Sequence, residues 1–271
     1  MRASAPAKIN LALVVGPLRH DGKHEVVTVL QRVGLADRID VEPADVTRVD
    51  GFRGDTLVRD ALQLLGARAA TTRHWHARIE KHVPVAAGLG GGSSDAATAL
   101  RLANGQLDEP LPPETLHDVA AELGSDVPFF LHDGPRLASG DGSIVAPVDL
   151  PQDFFVLLAL PNDARKQSTA SVYDAFDARS GGDGWDDRRA QLLDALDAVR
   201  RPRDLAALPP NDLARSPFSE RLRELGAFRA DVSGAGPTVY GLFHHEHHAK
   251  AARRALRRVA RTWLTAPAWY G

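Results

Sequence analysis

The chain has 271 residues, 44% of them hydrophobic, enough to bury one large core or two modest ones and too apolar for a disordered chain. A formal net charge of −2 leaves no general positive field for nucleic acid, so any bound anion must be met by local donors. The absence of cysteine excludes disulfides and thiolate metal sites.

The apolar run near the N-terminus is too short for a secretory signal, and no stretch approaches the ~20 apolar residues of a membrane span. A soluble cytoplasmic protein is expected. Lys8 to Val15 alternates over its first residues and reads as a strand, with Lys8 and Asn10 on one face and Ile9 and Leu11 on the other. His24 to Val33 and Asp37 to Val41 read as two more strands, separated by Gly34-Leu35-Ala36. Thr56 to Leu65 has apolar residues at helical spacing, with Asp55 or Thr56 as N-cap and Gly66 as the stop. Trp75, Ala77 and Ile79 alternate with His76, Arg78 and Glu80, a strand that feeds a glycine-rich loop.

That loop, Pro84-Val85-Ala86-Ala87-Gly88-Leu89-Gly90-Gly91-Gly92-Ser93-Ser94, runs straight into Asp95-Ala96-Ala97-Thr98-Ala99-Leu100, a helical stretch. Strand, glycine loop and helix in that order suit a phosphate. Glycines allow close approach of the main chain, and the free N–H groups of a helix start point at the anion. Ser93 and Ser94 add hydroxyl donors. Gly92 is followed by Ser93 rather than lysine, so this is not a Walker A loop, and no ordered GxGxxG marks a dinucleotide fold. A flexible linker would not pass directly from an alternating strand into such a helix.

A helix over about residues 93 to 104 follows, and Pro113-Glu114-Thr115 opens another that Gly124 ends. Next comes Ser125-Asp126-Val127-Pro128, where Pro128 is expected to bar a return to helix and to bias Val127 toward extended backbone. Two strands are expected within residues 135 to 149, and Phe154 to Leu160 reads as a buried strand opening the second half. Ser216-Pro217 starts a helix that Gly226 ends. Ser233-Gly234-Ala235-Gly236-Pro237-Thr238 forms a second glycine turn between strands. An Arg/Ala helix of about 246 to 261 and a strand near Trp263 to Trp269 complete the chain, whose second half reads as a split βαβ sandwich.

Three of these segments, Pro6-Ala7-Lys8-Ile9-Asn10-Leu11, the Pro84 to Ala97 loop and Ser233 to Thr238, occur in the order expected of the GHMP kinase superfamily. With Asp21-Gly22-Lys23-His24-Glu25, Thr28-Val29-Leu30-Gln31, Leu123-Gly124-Ser125-Asp126-Val127-Pro128-Phe129-Phe130 and Asn211-Asp212-Leu213, the chain resembles the branch that phosphorylates 4-diphosphocytidyl-2-C-methyl-D-erythritol, in the non-mevalonate isoprenoid route. The resemblance covers nearly the whole chain. It implies a two-domain α+β GHMP kinase fold, with residues 1–150 like the second domain of ribosomal protein S5 and residues 151–271 a ferredoxin-like α/β sandwich, the active site lying in the cleft between them. It also implies transfer of the ATP γ-phosphoryl group to a hydroxyl of a small molecule, with Mg²⁺ expected alongside the nucleotide and its protein ligands unknown.

On the same resemblance, Asp126 accepts or orients the hydroxyl proton and Lys8 stands beside it, keeping the carboxylate charged and stabilising developing negative charge. Pro84, Ala86, Ala87, Gly88, Leu89, Gly90, Gly91, Gly92, Ser93 and Ser94 hold the ATP phosphates. Asn10, Lys23, His24, Thr169, Tyr173, Ser233, Gly234, Ala235 and Gly236 meet the substrate, with His24 reading cytosine and Tyr173 stacking on it. Tyr173 sits in Lys166-Gln167-Ser168-Thr169-Ala170-Ser171-Val172-Tyr173, where a core aromatic on a helix is the competing reading.

Two positions depart from the family pattern. Lys23 replaces the usual tyrosine before the histidine, so stacking from that side is lost, and Lys23 is left to reach the diphosphate or lie over the base; weaker cytosine selection is expected. Thr56 stands where the family often has asparagine near the nucleotide. The group His244-His245-Glu246-His247-His248 could bind a divalent metal, but reads better as a polar corner between strand and helix. Other readings of the whole are another GHMP small-molecule kinase, or a non-catalytic nucleotide- or RNA-binding protein of the same fold. No nucleic acid and no membrane is expected as partner, and the assembly is expected to be a monomer or weak dimer.

Overall fold

The first strand extends well beyond the alternating residues at its start: β1 (Arg2–Leu18) and β2 (His24–Ala44) pair as one long antiparallel hairpin. The computed structural model describes residues 1–164 and 168–268, so Lys166 and Gln167 of the Thr169 segment, and Trp269 at the end of the expected last strand, lie outside it. The two strands expected between His24 and Val41 are a single strand. Pro6 pairs with Ala36 and Ala7 with Val33, so Gly34 and Leu35 are absorbed as a bulge that bends β2 without ending it. A Cβ on Gly34 would lie 2.9 Å from Thr265 Oγ1, which explains a glycine at the bend.

β3 (Arg48–Asp50), β4 (His74–Glu80), β5 (Arg136–Gly140) and β6 (Ile144–Pro147) complete the first sheet in the order β3-β4-β2-β5-β6, with β1 paired to β2. The C-terminal half of β2 takes β4 and its N-terminal half takes β5, so its length is used twice. Helices α1 (Leu57–Arg68), α2 (Gly91–Asn104) and α3 (Pro113–Leu123) share a core with this sheet through Leu62, Leu65, Leu100, Val119, Trp75 and Ile39. Asp55 accepts from the Val58 N–H at 3.0 Å and caps α1, which runs on through Gly66 rather than stopping there. After Gly124 the chain also differs from expectation. Val127 is helical, with φ −66° and ψ −43°, and Pro128 opens a 3₁₀ turn over Pro128–Leu131, because its fixed φ suits the first position of a helical turn.

The second sheet, β7 (Phe155–Pro161), β8 (Arg229–Val232), β9 (Val239–Phe243) and β10 (Ala260–Thr265), is antiparallel throughout in the order β10-β7-β9-β8. That is the split βαβ arrangement expected for the second half. Between β7 and β8 come α4 (Thr169–Asp177), α5 (Trp185–Asp197) and α6 (Pro217–Glu224), and α7 (Glu246–Leu256) joins β9 to β10. The Arg/Ala helix ends sooner than its composition suggests. Ala260 and Arg261 pair with Pro161 and Leu160 in β10, so tertiary pairing overrides the high helix propensity of those residues.

The two halves are joined by a shared apolar layer. Ile9, Leu11 and Val29 of the hairpin pack with Val156, Leu158, Tyr240 and Leu192. Buried Arg229 crosses this layer, donating to the carbonyls of Leu11, Leu205, Leu208 and Pro209 and to the Tyr240 hydroxyl. Among the described residues no helix is long and apolar enough to cross a membrane.

Candidate active site and family

Alternation in β1 sends Lys8 and Asn10 to the same side, and the fold gives both a purpose. Lys8 Nζ donates to Asn10 Oδ1 at 2.8 Å, Asn10 Nδ2 donates to Thr28 Oγ1 at 2.9 Å, and Thr28 donates to the Ala12 carbonyl at 2.6 Å. Three buried side chains therefore fix where the ammonium points. It lies 3.4 Å from Asp126 Oδ2, with Lys8 almost fully buried and the Asp126 side chain 42% exposed. The carboxylate is presented to the cleft while its partner forms the wall. Asp126 reaches this place from the turn after α3, and buried Arg32, opposite Lys8 on β2, donates to the Phe130 carbonyl at 2.7 Å, anchoring the 3₁₀ turn that carries it.

The glycine loop meets these groups from the other side. Its carbonyls are tied off: Leu89 accepts from the Lys8 N–H at 2.9 Å, Gly88 from Ser233 Oγ at 2.8 Å, and Ala87 from the Thr238 N–H at 3.2 Å. Gly90 adopts φ +68° as the N-cap of α2, and the first helical N–H groups that follow have no partner within the helix. Carbonyls tied to protein groups beside N–H groups left without an intrahelical partner is the polarity an anion needs. Gly88, at φ +78°, could not carry a side chain, since a Cβ would stand 2.1 Å from the Ser233 carbonyl.

Two clefts flank the loop. The larger, about 750 Å³, is lined by Lys8, Asn10, Lys23, His24, Asp126, Thr169, Tyr173, Gly234, Ala235 and Gly236, which are ten of the expected catalytic and substrate residues. Ser233 is apart from these: its fully buried hydroxyl braces Gly88. The smaller cleft, about 320 Å³, is lined by Thr56, Lys81 and all the expected ATP-loop residues except Ser94. Ala86, Gly88, Gly90 and Ser93 border both. Ser94 Oγ is buried and has no hydrogen-bond partner among the described residues.

His24 stacks on Tyr173, with ring centroids 4.8 Å apart, and its Nε2 lies 2.8 Å from Asp177 Oδ1. Burial, and then the Asp126 charge, push the Tyr173 hydroxyl up to about 12, so that ring stays a neutral phenol. Lys23 also lines the larger cleft, and its Nζ pairs with Asp141 Oδ2 at 2.5 Å. Asp141 also accepts from Ser125 Oγ at 3.1 Å and Ser143 Oγ at 2.6 Å. Burial raises the Asp141 carboxyl, but Lys23 and Ser143 outweigh it and hold the group below the usual carboxylate range.

Lys81, Asp37 and Asp95 carry no role in the sequence reading, and Asn211 appears there only as part of a motif. Lys81 links Asp37 on β2 with Asp95 on α2 beneath the loop, and Asp37 also accepts from the Val83 N–H at 2.8 Å. Burial, reinforced by Asp37 and opposed by Lys81, raises the Asp95 carboxyl to about 8. Burial depresses the Lys81 ammonium, yet the two carboxylates prevail and raise it. Asn211 donates to the carbonyls of Val232 at 3.0 Å and Gly234 at 2.7 Å, so the Asn211-Asp212-Leu213 segment braces the second glycine turn. The histidines at 244 to 248 stack on one another and on Phe228, and no cluster suited to a metal ion is found among the described residues.

Family models described as GHMP kinases N terminal domain and GHMP kinases C terminal match residues 56–134 and 219–262. A curated relative from Anaeromyxobacter sp. (strain Fw109-5), named 4-diphosphocytidyl-2-C-methyl-D-erythritol kinase, is 38% identical over 96% of this chain and 87% of its own length. The chain belongs to that kinase family. A relative of the same name from Geobacillus thermodenitrificans is 35% identical over 95% of this chain and 93% of its own length. A crystal structure of 4-(cytidine 5'-diphospho)-2C-methyl-D-erythritol kinase superposes with a TM-score of 0.79 at 30% identity, covering 100% of both chains. A mevalonate kinase structure has the same fold, with a TM-score of 0.76 at 12% identity. The GHMP kinase fold and the kinase class expected from the sequence both stand.

Proposed function

We propose that this chain transfers the γ-phosphoryl group of ATP to the 2-hydroxyl of 4-diphosphocytidyl-2-C-methyl-D-erythritol, releasing ADP and the 2-phosphate in the non-mevalonate route to isoprenoid precursors. The observation that carries the reading is the Lys8 and Asp126 pair at 3.4 Å, set beside the glycine loop where the two clefts meet. A bond forms between the hydroxyl oxygen and the γ-phosphorus as the bond from that phosphorus to the bridging oxygen of ADP breaks. Asp126 takes or orients the hydroxyl proton, and Lys8, aimed by Asn10, offsets the negative charge that develops. Phosphoryl transfer depends on positioning and charge stabilisation, and these are the contributions the site offers.

In this reading the N–H groups from Gly88 to Ser93 hold the phosphates in the smaller cleft. Mg²⁺ is expected with the nucleotide, where it supplies charge neutralisation; the unpartnered Ser94 hydroxyl, with Ser93, offers the hard oxygen donors that ion takes. The larger cleft takes the substrate, with Thr169, Gly234, Ala235 and Gly236 lining it and the neutral Tyr173 ring against the base. Ser233 serves by holding Gly88. Residues 1–150 form the phosphate-binding and catalytic domain and residues 151–271 the second domain, in a monomer or weak dimer that acts in the cytoplasm on a small molecule, without nucleic acid or membrane.

The test is ADP release with 4-diphosphocytidyl-2-C-methyl-D-erythritol against mevalonate, homoserine and galactose. Turnover with the first and little with the others is expected. Asp126→Asn should lower kcat by about 10²–10⁴-fold with KM near that of the wild type. No turnover with the cytidyl substrate, or full turnover in the variant, would refute the reading.

A further inference from the structure

The bond from His24 to Asp177 goes beyond holding a ring in place. His24 is buried at the start of β2 and lines the larger cleft, while Asp177 ends α4 with its side chain 53% exposed. An ionised carboxylate only accepts, so the 2.8 Å contact requires His24 Nε2 to carry a proton. In the neutral ring Nδ1 is then a bare acceptor, and it has no hydrogen-bond partner among the described residues. Tyr173 stacks on one face of the ring and Phe176 meets it edge-on at 5.9 Å, so rotation to exchange the two nitrogens is opposed by both neighbours.

We propose that Asp177 is a positioning residue that fixes the tautomer of His24, so that an acceptor nitrogen meets the base of the substrate and selects a 4-amino over a 4-oxo pyrimidine. This rests on the proposed cytidyl substrate. A cytosine ring offers an N–H donor at its 4-position; a uracil ring offers a carbonyl there, which would face the lone pair of Nδ1 with no proton between them. The substitution of lysine at position 23 gives this selection added weight. Lys23 is held by Asp141, leaving hydrogen bonding rather than stacking to read the base on that side.

The experiment has two arms. In ¹⁵N-histidine NMR of the unliganded protein at about pH 8, above the ordinary histidine range, the His24 signals, assigned by their loss in His24→Gln, should show the proton on Nε2 alone. A proton on Nδ1, in the neutral or the charged ring, would overturn the proposal. In the second arm, kcat/KM is compared for the cytidyl substrate and its uridyl analogue. The wild type should prefer the cytidyl form by roughly tenfold to a hundredfold, the scale of one mismatched buried hydrogen bond. Asp177→Leu should collapse that ratio toward unity while retaining kcat with the cytidyl substrate at saturation. An unchanged ratio in the variant, beside normal wild-type turnover, would overturn the assignment of Asp177 and leave the kinase reading intact. Absence of wild-type turnover would instead count against the kinase reading itself.

Discussion

Asp95 shows how a single buried carboxyl sets a pH response. Its carboxyl stands near 8 in the folded chain, because burial and the Asp37 charge outweigh the help from Lys81. In the unfolded chain it returns to the ordinary aspartate value. Between those values the native state holds a proton that the unfolded state has released, so this group's contribution to stability is full at low pH and is lost as pH rises from about 4 to about 8. Asp95→Asn keeps the shape and removes the titration. The difference in Tm, variant minus wild type, should therefore grow with pH across that window and level off above about 8, at roughly 2–4 °C per kcal/mol. A difference constant with pH in thermal melts would contradict the shift. Nothing in the sequence around Asp95 announces this, since its two partners come from 14 and 58 residues upstream in Lys81 and Asp37. Lys8 was legible through alternation within one strand; Asp37, Asp141 and Asp177 meet the site only through the fold.

At the scale of elements, the glycine loop is held by a second loop. Ser233 and Thr238 bond to the carbonyls of Gly88 and Ala87, and Asn211 in turn braces Gly234. Gly88→Ala should destabilise the protein by roughly 1–3 kcal/mol in denaturant unfolding, through both its positive φ and the collision with the Ser233 carbonyl, and lower kcat/KM with it. Gly92→Ala is the contrast: a Cβ there meets nothing within 4 Å. The strand, loop and helix around this feature could be read directly from residue pattern. Three of the differences between residue pattern and fold share a cause. Gly34 signalled a break where a bulge suffices, Pro128 signalled a stop where it opens a turn, and the Arg/Ala run signalled helix where β7 offers a partner. Local chemistry leaves each of these residues two outcomes, and contacts distant in sequence choose between them.

Across the whole molecule, Arg229 is one of the side chains that join the halves. It reaches four carbonyls and one hydroxyl while buried, including the Leu11 carbonyl in the strand that bears Lys8. Arg229→Met retains apolar volume but leaves those acceptors without their donor. A loss of about 3–5 kcal/mol is expected, seen as a drop in Tm on the order of 10 °C; a shift under about 2 °C would show that the guanidinium is dispensable. The two-sheet plan was visible in the order of motifs, but this joint was not, because an arginine among 28 has nothing local to distinguish it.

The same joint constrains how the protein is made. The apolar back of the hairpin, Ile9, Leu11 and Val29, finds its cover in Val156, Leu158 and Tyr240, and the Tyr240 hydroxyl meets the Leu11 carbonyl across 229 residues of chain. Further on, the Ala268 N–H closes onto the Arg32 carbonyl at 3.0 Å. On the ribosome the first strands therefore emerge long before the surface that covers them. Loop closure over such separations is slow, and a nascent hairpin waiting with an uncovered apolar face is the species that chaperones engage and that aggregates when they do not. Lys8, on the first of those strands, is among the first residues synthesised, while Tyr240, which meets that strand at Leu11, is among the last.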